Sequence, residues 1–321
     1  MSKRVSRKIP KRLFMTDPWD SLGFPNDTTL RIMQESKRLG ERAFISDVNT
    51  VQWKDGKLTA VVRELKNEPE SMAKDSFIWS EEKRQALTPF DQLFYRADPP
   101  VDLAYLFPLQ LMKLAELDRS VEIVNPLSAL FSRSEKLECL FDPKFTPRTL
   151  ITSEPTEMLA FLKRESTIVV KPMNTAQSRG VAVVKTPREL KAATQNSTTE
   201  INSLPFVLQS YHASILQGEK RTWWVDGKLL AFAQKVPKTG QSIINMDQGG
   251  SVQATPLSAR EKRALPAIAQ RLKASKIRLA AIDLIDGLVT DYNFTSPGLL
   301  IQMEQVLGEN LAKKLLTLTR P

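Results

Sequence analysis

Residues 279–297 read Leu-Ala-Ala-Ile-Asp-Leu-Ile-Asp-Gly-Leu-Val-Thr-Asp-Tyr-Asn-Phe-Thr-Ser-Pro. Apolar runs on both sides of the Asp286-Gly287 pair predict a hairpin of two strands, at 277–285 and 288–293. Aspartates interrupt both strands, and a charge in an apolar strand is costly unless it is paired or liganded. The stretch therefore predicts a hairpin that carries a polar site.

Three oxygen-bearing side chains of this hairpin are candidate metal ligands, namely Asp283, Asp291 and Asn293. Side chains alternate along a strand, so a two-residue turn would put Asp283 and Asp291 on opposite faces. A three-residue loop with Gly287 in the left-handed conformation would bring all three to one face, as a half-shell for Mg²⁺. We predict the three-residue loop, but ordinary alternation on an exposed strand would also explain the aspartates.

Two lysines are candidates for binding the phosphates of a nucleotide. Lys171 ends a predicted apolar strand at 167–171 and precedes the small polar loop 174–180, while Lys136 opens a helix or turn. Each lysine alone is a weak signal, because a lone lysine after a strand is usually just solvated. Because a triphosphate with Mg²⁺ needs cations and carboxylates on different sides, we expect both lysines on the wall opposite the hairpin.

The order of predicted elements divides the chain into lobes. Strands and helices alternate up to about residue 125, which predicts a small parallel sheet, with the polar stretch 67–85 mostly loop. A second alternating set follows, then antiparallel strands and a helix opened by the capping box Ser258-Ala-Arg-Glu261. We predict a basic tail at 1–12, a Rossmann-like domain at 13–125 and a second domain at 126–321, whose lid lobe spans about 146–211.

Composition excludes several classes of protein. The chain has 321 residues and a mean hydropathy of -0.27, and it lacks the apolar run of about 18 residues that a membrane helix needs. Cys139 and His212 are the only residues of their types, which excludes an internal disulfide and a Cys/His zinc site and fits a reducing cytoplasm. The net charge is +10, but about half of it lies in residues 1–12, and the sequence has no nucleic-acid-binding motif.

The motifs taken together resemble those of bacterial glutathione synthetase, an ATP-grasp family, from about Thr16 to about Glu304. The matching segments, in chain order, are Asp17-Pro18 with Asn26-Asp-Thr-Thr29, Arg96-Ala-Asp-Pro-Pro-Val-Asp102, Ile123-Val-Asn-Pro126, Ser134-Glu-Lys-Leu137, Val170-Lys-Pro172, Gly218-Glu-Lys-Arg221 with Val225-Asp-Gly227, Asn245 with Gly249-Gly250, and Asp283 with Asp291-Tyr-Asn-Phe-Thr-Ser-Pro297. The resemblance implies an α+β ATP-grasp fold with an N-terminal Rossmann-like (pre-ATP-grasp) lobe. It also implies that ATP binds between the two later lobes.

The resemblance implies roles for individual residues. Lys136 and Lys171 would contact the ATP phosphates, and Glu219 would hold the ribose. The backbone from Gln209 to Tyr211 would contact the edge of adenine, and Asn245 would also lie on the nucleotide side. Mg²⁺ would be held by Asp283, Asp291 and Asn293, while Arg221 and Lys171 would be the catalytic residues, with Arg221 stabilising the reacting group. In this family ATP phosphorylates a substrate carboxylate, and an amine then attacks the acyl phosphate to form an amide.

Several family positions carry other residues in this chain. The glycine-rich loop is 174–180 here, with Gly180 as its only obvious glycine. A phosphate-contacting arginine is replaced by Ile243, a substrate-contacting arginine by Ile301, a further arginine by Lys235, and a metal-bridging glutamate by Asp291. Each lost contact of this kind removes on the order of 2–4 kcal/mol of transition-state stabilisation. These changes predict that γ-glutamylcysteine with glycine is a poor substrate pair.

Three functions stay open on the sequence alone. The leading hypothesis is an ATP-dependent carboxylate–amine ligase with an altered substrate, and the alternatives are a degenerate pseudoenzyme that only binds nucleotide and a nucleic-acid binder acting through residues 1–12. For the ligase we expect ATP and Mg²⁺, small-molecule or peptide carboxylate and amine substrates, no membrane or nucleic-acid partner, a cytoplasmic location, and the symmetric oligomers common in the family. Asp283→Asn should weaken Mg-ATP binding or stop turnover, with little harm to folding, because it removes repulsion in the empty site.

Overall fold

The structure is a computed structural model that describes residues 8–173, 175, 177–195 and 204–321. The described strands form three sheets that follow one another along the chain. Residues 1–7 of the predicted basic tail, and Asn174 and Ala176 of the predicted phosphate loop, lie outside the described residues. Within those described ranges, no helix is both long and apolar enough to cross a membrane.

The first sheet is mixed, with a parallel centre and an antiparallel edge. Its strands are β1 (Lys11–Thr16), β2 (Arg42–Asp47), β3 (Gln52–Lys54), β4 (Lys57–Glu64), β5 (Lys83–Ala86), β6 (Gln92–Tyr95) and β7 (Glu122–Val124), in the order β3-β4-β2-β1-β6-β7 with β5 beside β4. The pairs among β2, β1, β6 and β7 are parallel, as predicted. The pairs that involve β3, β4 and β5 are antiparallel, so the predicted parallel sheet carries an antiparallel edge.

Helices α1 (Thr28–Arg38), α2 (Leu103–Leu114) and α3 (Leu127–Ser132) pack on this sheet, whereas the short helix α4 (Glu135–Glu138) packs against the third sheet described below. Asp27 caps α1, because its carboxylate accepts from the Leu30 backbone N–H at 2.9 Å. Gly40, with φ of 76°, follows the end of this helix, where a left-handed residue is common.

The second sheet is smaller and antiparallel. It contains β8 (Thr149–Thr152), β9 (Ile168–Pro172), β10 (Ala182–Val184) and β11 (Phe206–Ser210), in the order β10-β9-β11-β8. Helices α5 (Pro155–Glu165) and α6 (Pro187–Gln195) pack against it and share its own apolar core, which includes Phe161, Val170 and Leu208. This core is separate from those of the other two sheets.

The third sheet is antiparallel and shares its cores with the first. Its strands are β12 (Glu219–Val225), β13 (Lys228–Val236), β14 (Ser251–Gln253), β15 (Leu279–Ile285) and β16 (Leu288–Asn293), in the order β14-β13-β12-β15-β16. The helices of this half are α7 (Ala259–Ser275), α8 (Leu300–Leu307) and α9 (Leu311–Leu318). The capping box at Ser258 and Glu261 opens α7 as predicted. One apolar core joins Leu30 of α1 to Leu300 of α8 and Trp223 of β12.

Candidate functional site

A cavity of about 770 Å³ lies where the three sheets meet. Its walls come from β9 and β11 of the second sheet, from β12, β15 and β16 of the third sheet, and from the segments that follow β1 and β6 in the first. Every residue that the sequence assigned to ATP or Mg²⁺ lines this one cavity, namely Lys136, Lys171, Gln209, Tyr211, Glu219, Arg221, Asn245, Asp283, Asp291 and Asn293.

The turn of the acidic hairpin has two residues, not three. Asp286 and Gly287 have φ values of 49° and 82°, and Ile285 pairs directly with Leu288 across them. Two successive residues with positive φ are the signature of the tight hairpin turn that Asp-Gly sequences favour. The left-handed conformation of Gly287 is confirmed, whereas the three-residue loop is wrong.

A β-bulge at Thr290 nevertheless brings the three candidate ligands to one face. Asp283 pairs with Asp291, and the next pair joins Leu284 to Val289, so Thr290 has no partner across the hairpin. One extra residue on one strand reverses the alternation of side chains beyond it. The predicted common face of Asp283, Asp291 and Asn293 is therefore confirmed, with the odd residue in the strand and not in the turn.

Two cations hold Asp283 in this site. Arg221 Nε and Nη2 donate to its two carboxylate oxygens at 2.9 and 2.7 Å, and Lys235 Nζ donates to Oδ2 at 2.9 Å. Asn293 Nδ2 donates to the same Oδ2 at 3.2 Å. Burial by itself would raise the pKa of Asp283, but Arg221 and Lys235 outweigh burial and hold that pKa below its usual range.

Both predicted phosphate-binding lysines contact the hairpin. Lys136 Nζ donates to the two carboxylate oxygens of Asp291 at 3.1 and 2.8 Å, and Lys171 Nζ donates to the Thr290 carbonyl at 2.9 Å. Burial raises the pKa of Asp291, and the two lysines lower it below its usual value. The expectation that these lysines would lie on the opposite wall is wrong, because opposite charges in a largely buried site gain most from direct contact.

Glu219 belongs to the same set of charges. Its carboxylate pairs with Lys235 and accepts from Thr290 Oγ1 at 3.5 Å. We call the linked side chains the charge network, and its members are Lys136, Lys171, Arg221, Lys235, Glu219, Asp283 and Asp291. Four of these side chains are cationic, and their N–H groups are donors that suit an anionic ligand.

The oxygen atoms of the hairpin fit Mg²⁺ by their chemistry. Asp283, Asp291 and Asn293 offer two carboxylates and one amide oxygen from a single face. Over the described parts of the chain, no group of three or more His, Cys, Asp or Glu side chains is arranged to hold a metal ion. The two carboxylates and one amide of the hairpin suit Mg²⁺, which is usually held by one or two carboxylates while phosphates and water complete its shell.

The segment predicted to contact adenine is partly engaged within its own sheet. The backbone N–H groups of Ser210 and Tyr211 donate to the carbonyls of Arg148 and Thr167 at 2.9 and 3.1 Å. The Gln209 amide donates to Thr149 Oγ1 at 3.3 Å. These two N–H groups would have to leave their partners to contact a base, so base contacts would fall more readily to other backbone groups.

Two side chains of the site were not given a role by sequence reasoning. Glu135 Oε1 accepts from the backbone N–H groups of Phe294 and Thr295 at 2.7 and 2.8 Å, and burial raises the pKa of Glu135. Glu135 thereby fixes the chain just beyond Asn293. Its signal was the Ser-Glu-Lys-Leu motif, in which only the lysine was used, while Lys235 was noted only as a replaced arginine.

The replaced positions lie differently with respect to the cavity. Ile243 lines the cavity. Ile301 is buried in α8, and the described lining of the cavity includes its neighbour Gln302 instead. Asn245 also lines the cavity, and its side chain accepts from the Asp247 N–H at 2.9 Å. Ser178, beyond β9, donates to the Ile244 carbonyl at 3.0 Å and so links the second sheet to this segment.

A cleft between a four-stranded and a five-stranded antiparallel sheet, with lysines and carboxylates along its walls, is the architecture of an ATP-grasp protein. Solved structures agree with this α+β fold class. The structure of D-cycloserine synthetase DcsG matches with a TM-score of 0.61 and 15% identity over 95% of this chain and 99% of that one. The structure of D-alanyl-alanine synthetase A from Vibrio cholerae O1 matches with a TM-score of 0.58 and 12% identity over 97% of this chain and 99% of that one.

Sequence comparison identifies the family within this fold. The family model for the prokaryotic glutathione synthetase N-terminal domain matches residues 11–130, and that for the ATP-grasp domain of the same family matches residues 135–308. Glutathione synthetase of Parasynechococcus marenigrum is 30% identical over 94% of this chain and 96% of that protein. Glutathione synthetase of Neisseria meningitidis serogroup A is 30% identical over 89% of this chain and 91% of that protein.

The chain therefore belongs to the prokaryotic glutathione synthetase family. It is an ATP-dependent carboxylate–amine ligase that uses ATP with Mg²⁺.

Proposed function

We propose that the cavity binds Mg-ATP along the charge network and uses it to convert a substrate carboxylate into an acyl phosphate beside Arg221. The observation that carries the proposal is the convergence on one cavity of all the residues assigned to ATP and Mg²⁺. The four cationic side chains of the network support a polyphosphate ligand, since lysines and arginines bind phosphate through charge-assisted hydrogen bonds.

The residues of the network would act by exchanging partners. Lys136 and Lys171 would transfer their N–H donors from Asp291 and the Thr290 carbonyl to phosphate oxygens. Asp291 would then join Asp283 and Asn293 in holding Mg²⁺, which supplies charge neutralisation to the phosphates when bound. The protein contributes little covalent chemistry to such a reaction, so positioning and charge neutralisation would provide most of the catalysis.

Arg221 would stabilise the group that reacts. Asp283 holds its guanidinium through two hydrogen bonds, and its Nη1 donates to the Gly298 carbonyl at 3.4 Å, so its orientation is fixed on the cavity wall. A substrate carboxylate oxygen would attack the terminal phosphorus of ATP, and ADP would leave. An amine would then attack the acyl carbon, lose a proton and expel inorganic phosphate, which leaves an amide.

We propose further that the carboxylate substrate differs from the γ-glutamylcysteine that a glutathione synthetase joins to glycine. Ile243 lines the cavity and cannot neutralise an anion there. We expect γ-glutamylcysteine with glycine to be used with a kcat/KM about 100-fold or more below that of the Neisseria meningitidis enzyme assayed alongside. Ile243→Arg should raise that value at least tenfold, whereas Ile78→Arg, at an exposed position, should leave it unchanged. Comparable rates for the two enzymes would contradict the altered substrate.

Hydroxylamine trapping tests the proposed chemistry without knowledge of the natural amine. The protein is incubated with Mg-ATP, hydroxylamine and each member of a panel of mono-acids, di-acids and dipeptides, and hydroxamate is measured. The proposal expects hydroxamate and ADP in equal amounts, dependent on one class of acid. Stabilisation of the fold by Mg-ATP with no hydroxamate from any acid would leave nucleotide binding alone and overturn the ligation chemistry.

A further inference from the structure

One accessible arginine of the cavity is not paired with a carboxylate. The lysine and arginine side chains that line the cavity, among the described residues, are Arg96, Lys136, Lys171, Arg179, Arg221 and Lys235. The cations of the charge network contact carboxylates or the Thr290 carbonyl, and Arg96 is buried. Arg179 is exposed, and within the described part of the chain its guanidinium donates only to Gln177 Oε1, at 2.5 Å. Arg179 therefore offers the cavity N–H donors that a ligand can reach.

The backbone around Arg179 lies beside one of the two predicted phosphate-binding lysines. Strand β9 ends with Lys171 and Pro172. A Cβ on Gly180 would lie 2.8 Å from Pro172 Cγ, so the residue after Arg179 packs on the residue after Lys171. Gly180 has a φ of 72°, which a larger residue would rarely adopt. Arg179 is thereby held at the end of the cavity where the phosphates of ATP would bind.

The residues just before Arg179 contact the other two sheets. Gln177 Nε2 donates to Asp98 Oδ2 at 3.3 Å, and Asp98 follows β6 of the first sheet. Ser178 Oγ donates at 3.0 Å to the carbonyl of Ile244, which lies between β13 and β14 of the third sheet. We expect ATP between the second and third sheets, so a segment that also reaches the first sheet lies at the outer end of the triphosphate, where the substrate meets it.

The backbone before Arg179 is held in an unfavourable conformation. Gln177 and Ser178 have φ values of 56° and 59°, although neither is glycine. Residues with a Cβ keep this left-handed conformation only where their surroundings impose it, and such residues are common at ligand-binding sites. Thr175 Oγ1 donates to the Arg179 carbonyl at 2.8 Å and fixes the other side of the segment. The contacts of 175–180 therefore give Arg179 a defined position on the cavity wall.

We propose that Arg179 is a further catalytic residue, which binds the terminal phosphate of ATP and stabilises it during transfer to the substrate carboxylate. This inference rests on the proposed function, because it adds a residue to the same reaction. Gln177 holds one nitrogen of the guanidinium, and the remaining N–H groups donate to oxygens of the phosphate, whose geometry they match. The phosphoryl group moves from the β-phosphate oxygen to the carboxylate oxygen, and Arg179 neither gains nor loses a proton.

Nucleotide affinities test this assignment without turnover. Calorimetric titration in the presence of Mg²⁺ measures the dissociation constants of ADP and of an ATP analogue with a methylene group between its β- and γ-phosphates. Arg179→Met should weaken binding of the analogue by about 10- to 100-fold, the worth of a hydrogen bond to a charged group. Binding of ADP, which lacks the terminal phosphate, should change by less than about threefold. Arg179→Lys keeps the charge but not the fork and should give an intermediate value for the analogue.

Turnover and a matched control separate this role from a general effect of charge. With the acid that yields most hydroxamate, Arg179→Met should lower kcat by about 100-fold, and the KM for the acid should change by less than about threefold. Arg188→Met also removes an exposed arginine near the second sheet, at the start of α6, but Arg188 lies outside the described cavity lining. Arg188→Met should leave both nucleotide affinities and kcat unchanged.

The outcomes distinguish this inference from the proposed function. Arg179→Met with the affinities of the parent, or with an equal loss for ADP and the analogue, would overturn the role of Arg179 while the proposed function stands. A loss of the same size in Arg188→Met would overturn it as well, because the effect would then be one of overall charge. A parent protein that binds neither nucleotide would overturn the proposed function and this inference together.

Discussion

At the scale of one residue, Asp283 contributes both to the stability of the protein and to its proposed chemistry. It lies directly across from Arg221 in the pairing of β12 with β15, and Lys235 reaches it from β13. The side chains of Asp283, Arg221 and Lys235 are 4, 11 and 8% exposed. Removal of one partner from such a buried set leaves charges without compensation and is strongly destabilising.

Asp283→Asn should therefore lower the free energy of unfolding by about 3 kcal/mol and abolish the stabilisation of the fold by Mg-ATP. This replaces the expectation of little harm to folding, which assumed repulsion where the structure has attraction. Urea unfolding with and without Mg-ATP measures both effects. Asp286→Asn makes the same change in the exposed turn of the hairpin and should stay within about 0.5 kcal/mol of the parent. Equal stability of the two variants would show that Asp283 is not held as described.

The acid side of the stability curve should also depend on Asp283. A carboxylate whose pKa is lowered by folding adds stability above its unfolded pKa, near the ordinary value of 3.8, and loses it as pH falls toward the folded pKa. The pKa of Asp291 is lowered as well, so both carboxylates act in the same direction. Between about pH 5 and pH 2, the parent should lose stability more steeply than Asp283→Asn. Parallel curves in thermal melts over this range would contradict the assignment.

At the scale of elements, two Asp-Gly turns offer a matched test of the hairpin. Gly56 and Gly287 have φ values of 75° and 82°, but a Cβ on Gly56 would meet no atom within 4 Å, whereas one on Gly287 would lie 2.8 Å from the Arg260 carbonyl. Gly56→Ala should cost about 1 kcal/mol, from the left-handed backbone alone. Gly287→Ala should cost a further 1–3 kcal/mol, roughly the cost of overpacking. Equal losses in urea unfolding would show that α7 does not press on the turn.

Local sequence predicts elements well where one residue type dictates the backbone. The Asp286-Gly287 pair indicated the turn at 286–287, and Ser258 with Glu261 indicated the start of α7. The bulge at Thr290 was not predictable in this way, because no residue type there requires it. β6 was missed because its four residues are all buried and show no alternation that distinguishes a strand.

The partners in the site depend on contacts between distant parts of the chain. Lys136 and Asp291 are 155 residues apart, and Arg221 and Asp283 are 62 apart. The order of motifs therefore identified the residues of the cavity, but the pattern of ion pairs among them required the fold.

At the scale of the whole molecule, the division of apolar cores suits a cleft that closes. The first and third sheets share their cores, whereas the second sheet and its helices α5 and α6 have their own. Units with separate cores tend to open and close as bodies. The cavity lies between the second sheet and the rest, so Mg-ATP bound there should join them and stabilise the fold by about 4 kcal/mol at a thousand times its dissociation constant. The absence of any shift in the melting temperature at millimolar Mg-ATP would contradict this placement.

The most direct test of the account follows the oxygen atoms of the carboxylate. The acid that yields most hydroxamate is labelled with ¹⁸O in its reacting carboxylate and incubated with Mg-ATP and hydroxylamine, and the released phosphate is analysed by mass spectrometry. Attack of the carboxylate on ATP, followed by attack of the amine on the acyl carbon, predicts one ¹⁸O in each phosphate formed. Phosphate without ¹⁸O would show that ATP is hydrolysed by water, and the central claim of carboxylate activation in this cavity would be wrong.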